Sequence, residues 1–456
     1  NGKVYLAISN HASPQGNVAI FQYDPGADQL TCLGDIKSIS TAANNWEAGE
    51  THQKIHSRFF EHADGKIYAT TQDVPAGDNY RGAKMYTIDE NSQIIDYTAT
   101  SQYYLDDQGV TQTGQIGVLF EKHGIIALGI NPRVADLIYG ISVPDGYLIL
   151  LDLSTGKIEK LVKTNFDQMN YISRDIAVDN QGNAYLAVSI DGGNTKQVYK
   201  YDYQQKTWSG IGPTFVDNSS YADWGGFAAQ VYTPSGETLY ARTFDGNFYR
   251  LVFAENKVEH LGESPGSNVF HLILGKKGEK IYYLYYSYYS QTHRLYAFDI
   301  STGQTELLQQ GIPAFGFRDL IKGHHTVDLA GNAYLVGWQY GGSTGIDNIA
   351  LFKIHFGQEL VAPNPPLSLW GVKIKEISFR PQEKDYPVLT NIWCRPNPFT
   401  EKVLIGFELK KKAKVRLIIQ NLKGTMIKEL VSGYLEPTYY MFSWHSQQST
   451  LNRGIY

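Results

Sequence analysis

Four basic residues alternate in the stretch THQKIHSR: His52, Lys54, His56 and Arg58. Alternate residues of a β-strand face the same way, so an extended backbone here predicts a cationic ladder on one face. Imidazole is a proton acceptor near neutral pH, and guanidinium neutralises carboxylates. Both are needed to abstract the proton beside a uronate carboxylate, where His or Tyr is the base and Arg or a metal makes the proton acidic. His52, His56, Arg58, Tyr171 and Arg174 are of the right kind for catalysis of that type. The structural alternative is a satisfied channel histidine at His56 and an inter-repeat ion pair at Arg58.

Arg174–Asp175 and Arg318–Asp319 recur as adjacent pairs. A repeated pair either binds a carboxylate or locks neighbouring repeats, and repetition suits the lock better. Trp46, Tyr171, Tyr221, Trp224, Trp338 and Tyr340 lie in segments that read as loops, where rings make stacking platforms. Trp46, Tyr221, Trp224, Arg318, Trp338 and Tyr340 are therefore the ligand-binding candidates, although a chain with 33 tyrosines places aromatics in loops in any case. His324 and His325 are adjacent and face opposite ways on a strand, so they do not share one metal. No zinc signature, phosphate-binding loop, dinucleotide fingerprint or nucleophile elbow is present, and neither metal nor cofactor is expected.

These candidates need a scaffold, and the tyrosines outline it. Tyr5, Tyr68, Tyr139, Tyr185, Tyr240, Tyr282 and Tyr334 each sit in a short strand pattern, spaced by 63, 71, 46, 55, 42 and 52 residues. The stretch Asp179–Asp202 is the pattern in full: a turn, a strand carrying Tyr, a glycine-rich turn, and a strand ending in Asp. Repeats of about 40–50 residues built from short strands predict a β-propeller with one four-stranded blade per repeat. The expected fold is all-β, a seven-bladed propeller over residues 1–360. Its first copy reads as lacking an innermost strand and its last as lacking an outer one, which suits a closed ring. Asp152-Ser154-Thr155-Gly156 and Asp299-Ser301-Thr302-Gly303 are matching register-setting turns. Ser189, Asp191, Gly193 and Thr195 match most of a sialidase-type Asp-box turn, but Lys196 stands where that turn has Trp. Several polysaccharide lyases use seven-bladed propellers, and the chain is similar to them in fold and residue type only.

Composition bounds the partners. Net charge is −5, too mild for nucleic acid as a general partner, and no window approaches the ~20 apolar residues of a membrane span. Only Cys32 and Cys394 are present, which excludes a disulfide framework. Charge is split along the chain: residues 388–456 hold 10 Lys/Arg and 4 Asp/Glu, net +6, leaving 30 and 41, net −11, for residues 1–387. The split reads either as a solubilising run around Lys410, Lys411, Lys412 and Lys414 or as complementarity between the tail of one copy and the body of another.

Prolines at 363, 365, 366 and 381 mark residues 361–387 as a linker, which is expected to donate a strand back to the ring. The remainder, 388–456, carries Pro396-Asn397-Pro398-Phe399, Gly424, Trp444 and a closing Gly454-Ile455-Tyr456. This module resembles the Ig-like β-sandwich of the flagellar hook-cap family and of type IX secretion C-terminal sorting domains, and it stops short of the last strand of those domains. The resemblance implies export and residence at the outer surface of a bacterium or outside the cell. The function expected is binding, through glycan recognition or through self-assembly into an extracellular filament, with a polysaccharide (uronate) lyase as the alternative.

Overall fold

The computed structural model describes residues 2–9, 17–62, 64–72, 80–131, 136–143, 145–161, 176–191, 194–218, 226–233, 235–266, 269, 271–275, 278–287, 292–313, 326–327, 332–339, 348–355, 375–378, 389–395, 402–409, 412–420, 426–436 and 438–445. The chain is nearly all β, and its contacts divide it into two compact units, Asn1–Arg380 and Pro381–Tyr456.

Small antiparallel sheets follow one another along the first unit. The first has three strands, Val4–Ile8, Ala19–Asp24 and Gln29–Asp35. In the second, Lys54–Ile55 and Phe60–Glu61 both pair with Ile67–Gln72, followed by Met85–Ile88 and Ile94–Asp96. The third is a meander of Gly124–Gly129, Leu137–Val143, Leu148–Asp152 and Lys157–Leu161. Four-stranded meanders recur with second strands Ala184–Ser189, Thr238–Arg242 and Lys280–Ser287. A last sheet joins Thr326–Val327, Asn332–Gln339 and Asn348–His355 to Lys375–Ser378, which runs parallel to its neighbour.

The recurring tyrosines explain part of the repeat. Each lies in the strand that crosses the middle of its sheet or, at Tyr5, opens it, and Tyr68, Tyr139, Tyr185, Tyr240, Tyr282 and Tyr334 are buried. A buried phenol needs a partner, and Tyr68, Tyr139 and Tyr185 find theirs in turns. Tyr68 donates to Asp64 (2.7 Å) and Tyr185 to Asp179 (2.9 Å), each in the turn before its own strand. Tyr139 instead donates to the Gly182 carbonyl of the next sheet (2.5 Å).

Register is set by aspartates at strand ends. Asp152 accepts from Ser154 N–H (2.9 Å), and Asp299 from Ser301 and Thr302 N–H (both 3.0 Å). Gly303 then turns at φ +69°, where a Cβ would stand 2.3 Å from the Leu261 carbonyl oxygen.

Neighbouring sheets share apolar cores. Leu150 and Ile141 of the third pack with Leu186 and Val188 of the next, and Val18 and Ile20 of the first with Tyr86 and Ile88 of the second. Val4, Leu6, Phe21 and Tyr23 of the first sheet also pack against Tyr334 and Leu351 of the last, with Tyr23 and Tyr334 edge to face at 5.7 Å. At about 1.5–3 kcal/mol per large buried side chain, these shared faces are the main stabilising term.

Among the described residues the repeat is elaborated around the second sheet. A helix, Ile36–Ala42, follows the first sheet, its N-cap Asp35 accepting from Ser38 N–H at 3.0 Å. An accessory sheet orders Thr111–Thr113, Tyr103–Leu105, Phe120–Glu121 and Gly82–Ala83. Its hairpin lies along Lys157–Leu161, covering the outer edge of the third sheet.

The second unit pairs Leu389–Arg395 with Lys402–Leu409 and that strand with Tyr439–His445, while Ala413–Gln420 pairs with Met426–Leu435. Among its described residues Phe407 and Leu409 are buried, Phe407 packing on Tyr440 and Phe442 at 5.5 and 5.9 Å. Lys412 pairs with Glu436 and Arg416 with Glu429 on its surface.

Candidate functional site

The elaborated repeat carries a buried polar network. Glu50 and His52, two residues apart, turn to the same side and meet Lys84, which opens the strand Met85–Ile88 from the preceding position. All three side chains are completely buried. Glu50 Oε1 receives His52 Nε2–H (2.9 Å) and Lys84 Nζ (3.3 Å). Glu50 Oε2 receives Glu47 N–H (2.9 Å) and faces Arg81 Nη1 (3.4 Å). Lys84 also donates to the carbonyls of Asn45 (2.7 Å) and Gly117 (3.2 Å), so its three protons have three acceptors.

The added elements close this network. Ser40 of the helix donates to Asp96 (2.6 Å), as does Asn45 Nδ2 (2.9 Å), which also reaches the Gly117 carbonyl (2.9 Å). Arg81 donates to Asn45 Oδ1 (3.3 Å) and to the Ile116 carbonyl. Gly117 turns at φ +75°, and a Cβ there would stand 1.8 Å from Asn45 Oδ1, so only glycine lets the loop approach.

His52 Nε2 faces the Glu50 carboxylate at 2.9 Å, and Nδ1 lies 3.0 Å from Thr71 Oγ1, which accepts from Lys84 N–H (2.9 Å) and donates to the Lys84 carbonyl (3.4 Å). Burial lowers the His52 pKa, against the opposing pull of Glu50, and so favours the neutral ring. For Glu50, burial pushes upward, but the His52 hydrogen bond and the Lys84 charge outweigh it and hold the carboxyl at about 2. Burial likewise lowers Lys84, against the attraction of Glu50 and Asp96.

Other sequence candidates sit as follows. The strand expected to carry His52, Lys54, His56 and Arg58 is only Lys54–Ile55 in the structure: His52 is sealed in the network, while Lys54, His56 and Arg58 are half-buried and alternate with buried Ile55 and Ser57. His56 Nδ1 meets the Ile126 carbonyl at 3.0 Å, tying this segment to the third sheet. Trp46 is half-buried and tilts against His52 with ring centroids 5.5 Å apart. Tyr171, Arg174, Tyr221, Trp224, Arg318 and Tyr340 lie outside the described residues, as do Asp175 and Asp319. Trp338 is on the strand Asn332–Gln339.

Glu50, Lys84, Arg81 and Tyr80 escaped the sequence reading, although Lys84 gave a signal, a lone lysine beside an apolar strand in GAKMYTI. Among the described residues no group of three or more His, Cys, Asp or Glu side chains converges to hold a metal ion, and no helix is long and apolar enough to cross a membrane.

No protein-family model and no curated protein matches the chain. Solved structures similar to it include a putative 6-phosphogluconolactonase from Bacteroides uniformis, at 10% identity and TM-score 0.44, covering 80% of this chain and 98% of that one. Another from Bacteroides fragilis is also 10% identical with TM-score 0.44, covering 80% and 97%. A structure of the nidogen/laminin complex is 11% identical with TM-score 0.41, covering 69% and 95%. The folds found are of β-propeller type.

Proposed function

We propose that this chain is a seven-bladed β-propeller joined to a C-terminal Ig-like domain, exported by a bacterium, and that it acts outside the cell or on its surface by binding, either to glycan or to further copies of itself. The observation that carries binding over catalysis is the occupancy of His52. Both ring nitrogens are engaged, by Glu50 and Thr71, and the side chain is wholly buried. A base so sealed does not reach a substrate proton. The cations beside it are matched by Glu50 and Glu47, so they are not free to neutralise a uronate carboxylate. These points weigh against the lyase. The opposite net charges of the body and the tail support self-association.

The test incubates the full chain with polygalacturonate while ultraviolet absorbance is followed, and in parallel measures retention on immobilised polysaccharides and particle form by negative stain. Retention or regular assembly without unsaturated product is the expected result. Rising absorbance that His52→Ala abolishes would restore the lyase and end the binding reading.

A further inference from the structure

Among the described residues the buried network reaches the surface through Arg81 and Glu47. Glu47, with its side chain 67% exposed, meets Arg81 Nε at 3.1 Å, and Arg81 is 20% exposed. Trp46 and Tyr80, both half-buried, tilt against His52 at centroid distances of 5.5 and 5.6 Å, each at 58°. The patch therefore presents two aromatic rings and an ion pair, seated on a floor whose side chains are locked by hydrogen bonds. Locked support of this kind gives a binding site its geometry in advance.

Charge decides what the patch accepts. The network and its rim hold three carboxylates, Glu47, Glu50 and Asp96, against two cations, Lys84 and Arg81, with His52 neutral. Arg81 faces Glu47 on one side and Glu50 on the other, so an incoming carboxylate meets excess negative charge. A neutral sugar meets no such penalty. Its C–H face packs on an aromatic ring, its hydroxyls donate to Glu47, and its oxygens accept from Arg81.

We propose that Trp46, Glu47, Tyr80 and Arg81 form a subsite for an uncharged pyranose. This rests on the glycan-binding reading and narrows it, since the general reading admits acidic polysaccharides and this site excludes them.

The experiment is calorimetric titration of the full chain with cellohexaose, maltohexaose, mannohexaose and hexagalacturonate. It is repeated for Trp46→Ala and Glu47→Gln, and for Tyr434→Ala as an exposed-aromatic control in the second unit, with melting curves to verify folding. At least one neutral hexasaccharide is expected to bind, about tenfold more weakly in Trp46→Ala and in Glu47→Gln and unchanged in Tyr434→Ala, with hexagalacturonate at least tenfold weaker than the neutral sugar. Preference for hexagalacturonate overturns the proposal. Neutral-sugar binding that both patch variants leave intact removes this subsite while the glycan reading stands. If none of the four sugars binds and no immobilised polysaccharide retains the chain, both fall together.

Discussion

Two of the buried cations among the described residues of the first unit, Lys84 and Arg242, are accommodated by opposite means. Lys84 shares its site with a carboxylate, Glu50, and with a ring of titratable neighbours. Arg242, also fully buried, donates instead to Ser264 Oγ (3.0 Å) and to the carbonyls of Thr243 (3.3 Å), Pro265 (3.2 Å) and Gly266, between the rings of Tyr283 (5.2 Å) and Phe248 (5.8 Å). Burial lowers its pKa to about 10, which leaves it charged at neutral pH. The guanidinium of Arg242 is a plug in an ordinary repeat, its fork matched to backbone acceptors. Lys84 lies where the repeat is elaborated by a helix and an accessory sheet, and its network continues to the surface through Arg81 and Glu47. The contrast teaches that buried charge alone does not mark a site; its continuity with an exposed patch does.

The sharpest way to break this contrast is Glu50→Gln. Lys84 and Arg81 then lose their buried carboxylate, and a loss of about 3–5 kcal/mol is expected in denaturant unfolding. Acid acts on the same group. The folded carboxyl sits at about 2 against an ordinary 4.5, so the unfolded chain binds more protons between those values. The stability that Glu50 supplies is complete above pH 4.5 and drains away toward pH 2. His52 adds in the same sense, because its depressed pKa means that acid below its ordinary 6.5 favours the unfolded chain. The denaturation midpoint should fall on acidification, and Glu50→Gln should shrink the step below pH 4.5, to which Asp35, Asp64, Asp152, Asp245 and Asp299 also contribute through lowered carboxyl pKa values; an unchanged step would assign it wholly to those carboxylates.

Arg242→Met is expected to cost less, about 2–3 kcal/mol, from orphaned carbonyls, while keeping the acid step of the parent chain. An equal cost, or a lost acid step, would remove the distinction between the two sites. Tyr185→Phe deletes one hydrogen bond to Asp179 and should lower stability by about 1 kcal/mol. Arg416→Ala breaks a surface pair with Glu429 in the second unit, and about 0.5 kcal/mol or less is expected, vanishing in high salt.

The scaffold was legible because its signals are local. A tyrosine reaches an aspartate four or six residues back, and an Asp turn closes within three residues, so both repeat visibly in the chain. The site was not. Trp46 and His52 were singled out by residue type, but the alternation from His52 to Arg58 did not reveal that His52 alone is sealed by Glu50 while Lys54, His56 and Arg58 stay half-buried. The cations that meet Glu50 come from residues 81 and 84, the loop at 116–117 accepts from those cations in turn, and no periodicity links them.

The sequence alone therefore determined the all-β class, the repeating strand order and the turns, since strand alternation and turn chemistry act over a few residues. Tertiary structure decided which histidine is sealed, which carboxylate holds the buried lysine, and which aromatic rings share a surface with an ion pair. Those outcomes depend on desolvation and on contacts between segments tens of residues apart, and they exist only once the sheets have packed.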